Sequence, residues 1–244
     1  MAGNATASLL EAIAPLRMRR QASRRPDLQC QMRFAVLRRQ MTKDVRLRAP
    51  ATARNRDHIA NVLGRYLPST GLVLEIASGT GEHVTHFART LNANLTFQPS
   101  DPDASARASI DAWVEATGVR NVLPAVALDA SADTWPMQRA DAIVCINMIH
   151  IAPWEAAIGL MRGAARLLPF DGLLYLYGPY RRDGHHTAPS NDAFDRGLRL
   201  QNSKWGVRDL EAVAELASAH GFSQPIVEEM PANNLSLMFR RNGG

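Results

Sequence analysis

The chain has 244 residues, 46% of them hydrophobic, which is enough for one large core without a second domain. No apolar run approaches the ~18 residues of a membrane span, and two cysteines, Cys30 and Cys145, are too few and too far apart for a disulfide framework or a zinc site. Charge is uneven: residues 1–40 hold eight arginines against Glu11 and Asp27 (+6), the other 204 residues hold 20 basic and 21 acidic groups (−1), and together they give the net +5. A high overall pI points to nucleic acid, but the near-neutral remainder does not indicate such a partner. The Arg-rich start reads as a targeting peptide, as a basic arm, or as a dispensable extension with translation starting at Met41. Only Lys43 and Lys204 are lysines among the 28 basic residues, so arginine bias runs throughout and the extension is preferred. Residues 1–45 are expected to be poorly ordered, residues 46–244 to fold as one domain, and the protein to be cytoplasmic.

Beyond the extension, Thr52 to Leu67 reads as a helix with Ile59, Val62, Leu63 and Tyr66 on one face and Pro68 past its end. Leu72 to Ile76 is a first strand, and Glu82 to Leu91 the helix after it. A second strand ends at Asp101, and Pro102 opens a helix through Ala116. Val122 to Leu128 is a third strand. Ala140 to Met148 is a continuous apolar run, as in a central parallel strand covered on both faces. Trp154, Ile158, Met161, Ala165 and Leu168 mark an amphipathic helix. Leu173 to Tyr177 is a fifth strand. Helices are expected over Asn191 to Asn202 and Val207 to His220, the latter stopped by Gly221. Gln224 to Met230 and Leu235 to Arg240 form a closing hairpin. The expected fold is therefore α/β: a doubly wound, seven-stranded, mostly parallel sheet with an antiparallel last strand.

Chemistry concentrates at Glu75-Ile76-Ala77-Ser78-Gly79-Thr80-Gly81-Glu82-His83. A strand ending in Glu-x-x-x-Gly-x-Gly brings backbone close to a ligand, because glycine leaves no side chain in the way. An acid just upstream suits a nucleoside with a cationic amino-acid tail, of which S-adenosylmethionine is an example. A dinucleotide fingerprint needs a third small residue, where this chain has Val84. An ordinary strand-to-helix turn that binds nothing is the bland alternative. Asp101, about 20 residues on, sits where a neighbouring strand delivers a carboxylate to ribose hydroxyls. Asp129 closes the next strand and is placed to accept from an adenine amino group, with the adjacent backbone N–H of Ala130 reading the ring. Singly, such acids are more often turn or cap residues. Three closing successive strands carry more weight.

Glu75, Gly79, Gly81, Asp101 and Asp129 resemble the S-adenosylmethionine pocket of class I (Rossmann-like) methyltransferases. More narrowly, Ala53-Arg54-Asn55-Arg56, Leu74 to His83, Gln98-Pro99-Ser100-Asp101, Asn147 to Ile151, Gly178-Pro179-Tyr180 and Pro231 to Leu235 are similar to the methyltransferase-like 26 family. The likeness covers about Pro50 to Arg241. It implies S-adenosyl-L-methionine as cofactor, held by the five residues above with Ala77, Ala130 and Asn147, and methyl transfer to an unidentified acceptor. A non-catalytic cofactor-binding scaffold or sensor is the alternative. A nicotinamide-dependent oxidoreductase ranks lower.

Methyl transfer from a sulfonium asks the protein mainly for alignment and exclusion of water. Asn147 and His150 leave the fourth strand near the expected methyl, without the Asn/Asp-Pro-Pro-aromatic pattern of amino methylation on adenine and glutamine, so exocyclic amines are less favoured. Among small molecule, protein side chain and RNA, the near-neutral core favours the first two. His150 is the candidate base, weighed against a packed histidine. The long segment from Tyr177 to Asn191 reads as a lid, with Tyr180 on the acceptor and Arg181 and Arg182 available to an anion, although solvation suits Arg182 better. No metal site is expected, and nothing specifies oligomeric state.

Overall fold

Two apolar runs make the middle of the sheet. Ala142–Ile146 (β3) and Leu173–Gly178 (β4) are buried along almost their whole length, because helices cover both faces of parallel strands. The computed structural model describes residues 44–243, and Val45–Gly244 is one compact unit. The expectation of poor order for the basic extension falls on residues that, all but the last two, lie outside those described. Gly71–Ile76 (β1) lies beside β3, Leu95–Pro99 (β2) is outside β1, and Asn234–Arg240 (β9) separates β4 from Ile226–Met230 (β8). Strands β2, β1, β3 and β4 are parallel, and β9 is antiparallel to both its neighbours, as the sequence implies.

Three helices cover one face: Pro50–Tyr66 (α1), Glu82–Thr90 (α2) and Ala104–Thr117 (α3). They bury Ile59, Leu63, Val84, Phe87 and Ile110 against Val73, Val144 and Tyr175. On the other face, Trp154–Leu167 (α4) and Leu210–Ala219 (α6) bury Leu160, Met161, Val213 and Ala217 against Ile76, Cys145 and Leu176. The chain leaves β1 toward β2 and returns to the opposite side at β3. That reversal opens a crevice at the C-terminal ends of β1 and β3.

The expected third strand is reduced to two bridges, Phe97 with Val122 and Ser100 with Val126. Pro99 and Pro124 remove ladder donors from both segments. The Gln98 side chain stands in, its Nε2 donating to the Pro124 carbonyl at 2.7 Å and the Pro99 carbonyl at 3.1 Å. The doubly wound arrangement survives with this seventh position as an irregular edge. Helix α3 starts two residues later than expected because Asp103 caps it, accepting from the N–H groups of Ser105 and Ala106.

The expected lid segment is instead folded. Tyr180–Arg182 (β5) and His185–His186 (β6) form a hairpin, and Arg208–Asp209 (β7) pairs with β5. Its turn is Asp183-Gly184, both at positive φ, a legible hairpin signal that the loop reading passed over. Pro189–Gln201 (α5) follows. The last predicted helix loses its first turn to β7, since the Arg208 side chain donates to the carbonyls of Ile149 at 2.9 Å and Ala152 at 2.7 Å and holds the backbone extended. Among the described residues, no helix is long and apolar enough to cross a membrane.

Candidate functional site

After β1 the chain turns sharply, and the turn is fastened from β2. Ser100 Oγ donates to the Glu75 carbonyl at 2.7 Å, and the Ser78 N–H donates to the Ser100 carbonyl at 2.8 Å. The Gly79 N–H donates to Asp101 Oδ2 at 3.0 Å, while Asp101 Oδ1 accepts from the Asp103 N–H at 3.0 Å. Ala77 is left-handed at φ 55°, a conformation that costs a residue with a Cβ ~1–2 kcal/mol. Gly81 is required twice: its φ is 88°, and a Cβ there would lie 2.6 Å from the Ile110 Cα. At Gly79 (φ 56°) a Cβ would meet nothing within 4 Å, so this glycine presents bare backbone to open space.

Glu75 is buried, and its Oε2 has no hydrogen-bond partner among the described residues. Burial pushes its carboxyl up to about 8, with the Ser78 hydroxyl opposing the rise and the Asp101 charge adding to it. Just beyond, a cavity of about 480 Å³ opens at the ends of β1 and β3, lined in part by Ala77, Leu128, Asp129, Ala130, Met148 and Ala156. Asp129 is exposed at its mouth, where Oδ1 accepts from the Ser131 N–H at 2.8 Å and the Ser131 hydroxyl at 2.7 Å. Of the three acids only Asp129 lines this cavity; Glu75 and Asp101 are each followed closely by a residue that does, Ala77 and Pro102. Lys204 and Glu155 add charges to the cavity wall that the sequence reading did not single out. Nor did it assign roles to Ser78, Ser100 or Glu82, whose Oε2 accepts from the Ala49 N–H at 2.7 Å and the Thr80 hydroxyl at 3.1 Å. A small polar residue closing each of two neighbouring strands was the available signal for the serines.

Asn147 follows β3 at φ 61°, its N–H donating to the Tyr177 carbonyl at 2.8 Å at the ends of β3 and β4. His150 and Tyr180 lie in the interior. His150 is fully enclosed at 0% exposure, and its Nδ1 accepts the Arg208 N–H at 3.3 Å, so the lone pair a base needs is engaged. Burial drives its pKa down to about 3, with the Arg208 charge contributing. Tyr180 is equally enclosed and meets His150 edge to face at 4.9 Å, so it packs the core rather than an acceptor. Gly178 permits this packing, since a Cβ there would sit 2.5 Å from His150 Nε2. Arg181 is committed to Asp209 at 2.6 Å, which corrects its expected role as an anion anchor. Arg182 is half-exposed, 3.9 Å from Glu229.

This sheet order, with an antiparallel strand beside β4 and a crevice between β1 and β3, defines the class I methyltransferase-like, Rossmann-type fold. Solved structures that share it include an O-methyltransferase family protein from Burkholderia thailandensis (16% identity, TM-score 0.68, 80% of this chain and 58% of that one). Another is an O-methyltransferase family 2 protein from Planctomyces limnophilus in complex with apigenin (19% identity, TM-score 0.65, 90% and 63%). The YcgJ protein of Bacillus subtilis is also similar (14% identity, TM-score 0.61, 79% and 100%). The chain spans less than two thirds of the length of either O-methyltransferase. It belongs to the family described as protein of unknown function (DUF938), matched over residues 46–241.

Proposed function

We propose that this protein transfers the methyl group of S-adenosylmethionine to a small molecule or a protein side chain, and that the methyltransferase-like 26 family is its finer kinship. The observation that carries the reading is the buried, unpartnered Oε2 of Glu75 at the end of β1, with bare backbone at Gly79 four residues on and a cavity lined by Ala77 and Asp129. A buried carboxylate without a partner is costly, and a cationic amino-acid tail would supply the missing charge. On this reading Glu75, Ala77 and the Gly79–Gly81 turn hold that tail. Asp101 keeps lone pairs for ribose hydroxyls, since each of its oxygens accepts only one backbone N–H. Asp129 and the Ala130 N–H face the base, and Asn147 closes the rim between β3 and β4.

Bound, the cofactor supplies an electrophilic methyl group on a sulfonium. The chain's own contribution is to hold, to align and to exclude water. The pinned turn and the left-handed Ala77 and Asn147 present backbone in fixed directions, which suits alignment. Val84 is wholly buried beneath the turn, keeping α2 from the close approach that a third small residue gives in dinucleotide folds.

The test is transfer of labelled methyl into a cell extract, separated into small-molecule and protein fractions. Label should enter one fraction with the wild type and fall at least about tenfold with Asp101→Ala, since a lost charged hydrogen bond costs ~1.5–3 kcal/mol. Cofactor binding without transfer into either fraction would favour the scaffold reading.

A further inference from the structure

On the sheet face covered by α1 and α2, three polar side chains meet. Asn55 comes from α1, His83 from the first turn of α2, and Tyr177 from β4. Asn55 Oδ1 lies 2.9 Å from His83 Nε2. An amide oxygen only accepts, so Nε2 carries the proton and Nδ1 carries the lone pair. No described residue donates to that Nδ1. Burial raises the Tyr177 phenol and Asn55 opposes that rise, so the phenol keeps its own proton to give. His83 stacks on Phe87 at 5.6 Å, and burial, reinforced by His86 on α2 and Arg56 on α1, drives its pKa down to about 4. The imidazole is therefore neutral at pH 7.

Strand register puts this cluster at the rim. Glu75 aligns with Val144 and Val144 with Tyr175, so Tyr177 lies on the same face as Glu75, one pleat nearer the C-terminal edge. The Tyr177 carbonyl accepts the Asn147 N–H, and His83 is two residues beyond Gly81. The cluster thus joins the glycine turn to the end of β4.

We propose that Asn55, His83 and Tyr177 are the acceptor subsite, and that the acceptor presents a neutral hydroxyl group to it. The inference rests on the methyl-transfer reading. A hydroxyl has one proton for His83 Nδ1 and a lone pair for the Tyr177 O–H. A carboxylate brings only lone pairs to Nδ1, and an ammonium brings no acceptor to Tyr177. On transfer, the acceptor oxygen's lone pair forms the new C–O bond and the C–S bonding pair stays on sulfur as a thioether. The hydroxyl proton passes to His83 Nδ1. Asn55 is a positioning residue that fixes the tautomer.

Full-length protein carrying 15N-histidine, saturated with S-adenosylhomocysteine, is titrated with phenol and separately with anisole, which lacks the O–H. The His83 Nδ1 resonance is expected to move with phenol and not with anisole. Asn55→Ala should lower the fraction of the Nε2–H tautomer in the same spectrum, with S-adenosylhomocysteine affinity unchanged by calorimetry. His83→Gln should cut methyl transfer to hydroxyl acceptors by about 10²–10⁴-fold, the usual worth of a positioned base. If calorimetry shows the product bound and phenol leaves Nδ1 unmoved, the subsite is overturned and the methyl-transfer reading stands. If the wild type does not bind S-adenosylhomocysteine, both fall.

Discussion

The backbone N–H of Gly79 donates to Oδ2 of Asp101 at 3.0 Å, so the acid that closes β2 holds the turn that leaves β1. The residue proposed to bind ribose is therefore also part of the frame that shapes the turn. Asp101→Ala should weaken S-adenosylhomocysteine binding by about 10- to 100-fold, from the lost ligand contact and the orphaned Gly79 N–H together. Asp101→Asn keeps an oxygen for Gly79 and should lose less. Calorimetric titration of both variants checks the order.

Glu75 ties binding to pH. In the free protein its carboxyl, raised to about 8 by burial, stays protonated where an unfolded glutamate near 4.5 has ionised. The folded state thus holds an extra proton between those values, and the stability this contributes is lost as pH rises through about 8. A cationic ligand demands the ionised form. S-adenosylmethionine affinity should therefore rise by up to about tenfold per pH unit from 6 and level off above the Glu75 pKa, with proton release seen as a buffer-dependent enthalpy. Glu75→Gln should bind more weakly with a flat pH profile.

His150 makes the opposite contribution. Its folded pKa of about 3 and His83's of about 4 lie below the ordinary 6.5, so the unfolded chain takes up protons that the folded chain refuses. Stability is complete above about 6.5 and should fall by ~1.4 kcal/mol per pH unit and per histidine as pH drops toward those values. His150→Phe should remove one proton from that slope. It should also cost ~1–3 kcal/mol at pH 7 by orphaning the Arg208 N–H. Urea unfolding between pH 4 and 8 reads both effects.

Ala77 sits in the left-handed region at φ 55° between β1 and the glycine turn. Ala77→Gly should relieve ~1 kcal/mol of backbone strain and raise Tm by about 2–4 °C. If the strained geometry presents backbone to the ligand, the freer glycine should also lower cofactor affinity. Thermal melts with and without S-adenosylhomocysteine separate the two effects.

Much of the fold was legible because buried parallel strands are continuous apolar runs, and Val144 and Tyr175 sit in such runs. The third strand misled because an apolar run reads as a strand, while Pro99 and Pro124 strip ladder donors from the two adjacent segments. At the site, the acids closing the strands could be placed from topology alone. The burial of His150 and Tyr180 could not. It depends on Gly178 lacking a Cβ and on Arg208, nearly sixty residues from His150, arriving with its N–H. The meeting of Asn55, His83 and Tyr177 was equally hidden, since it is made by three distant elements folding over one face.

On the proposed function, Glu75, Asp101 and Asp129 share one adenosyl ligand with a cationic tail. Calorimetry of the full chain against S-adenosylhomocysteine and NAD, in the wild type and in Glu75→Gln, tests it most directly. One site for S-adenosylhomocysteine, weakened in the variant, and no heat with NAD are the expected results. Binding of NAD alone, or S-adenosylhomocysteine binding equally well to both proteins, would contradict it.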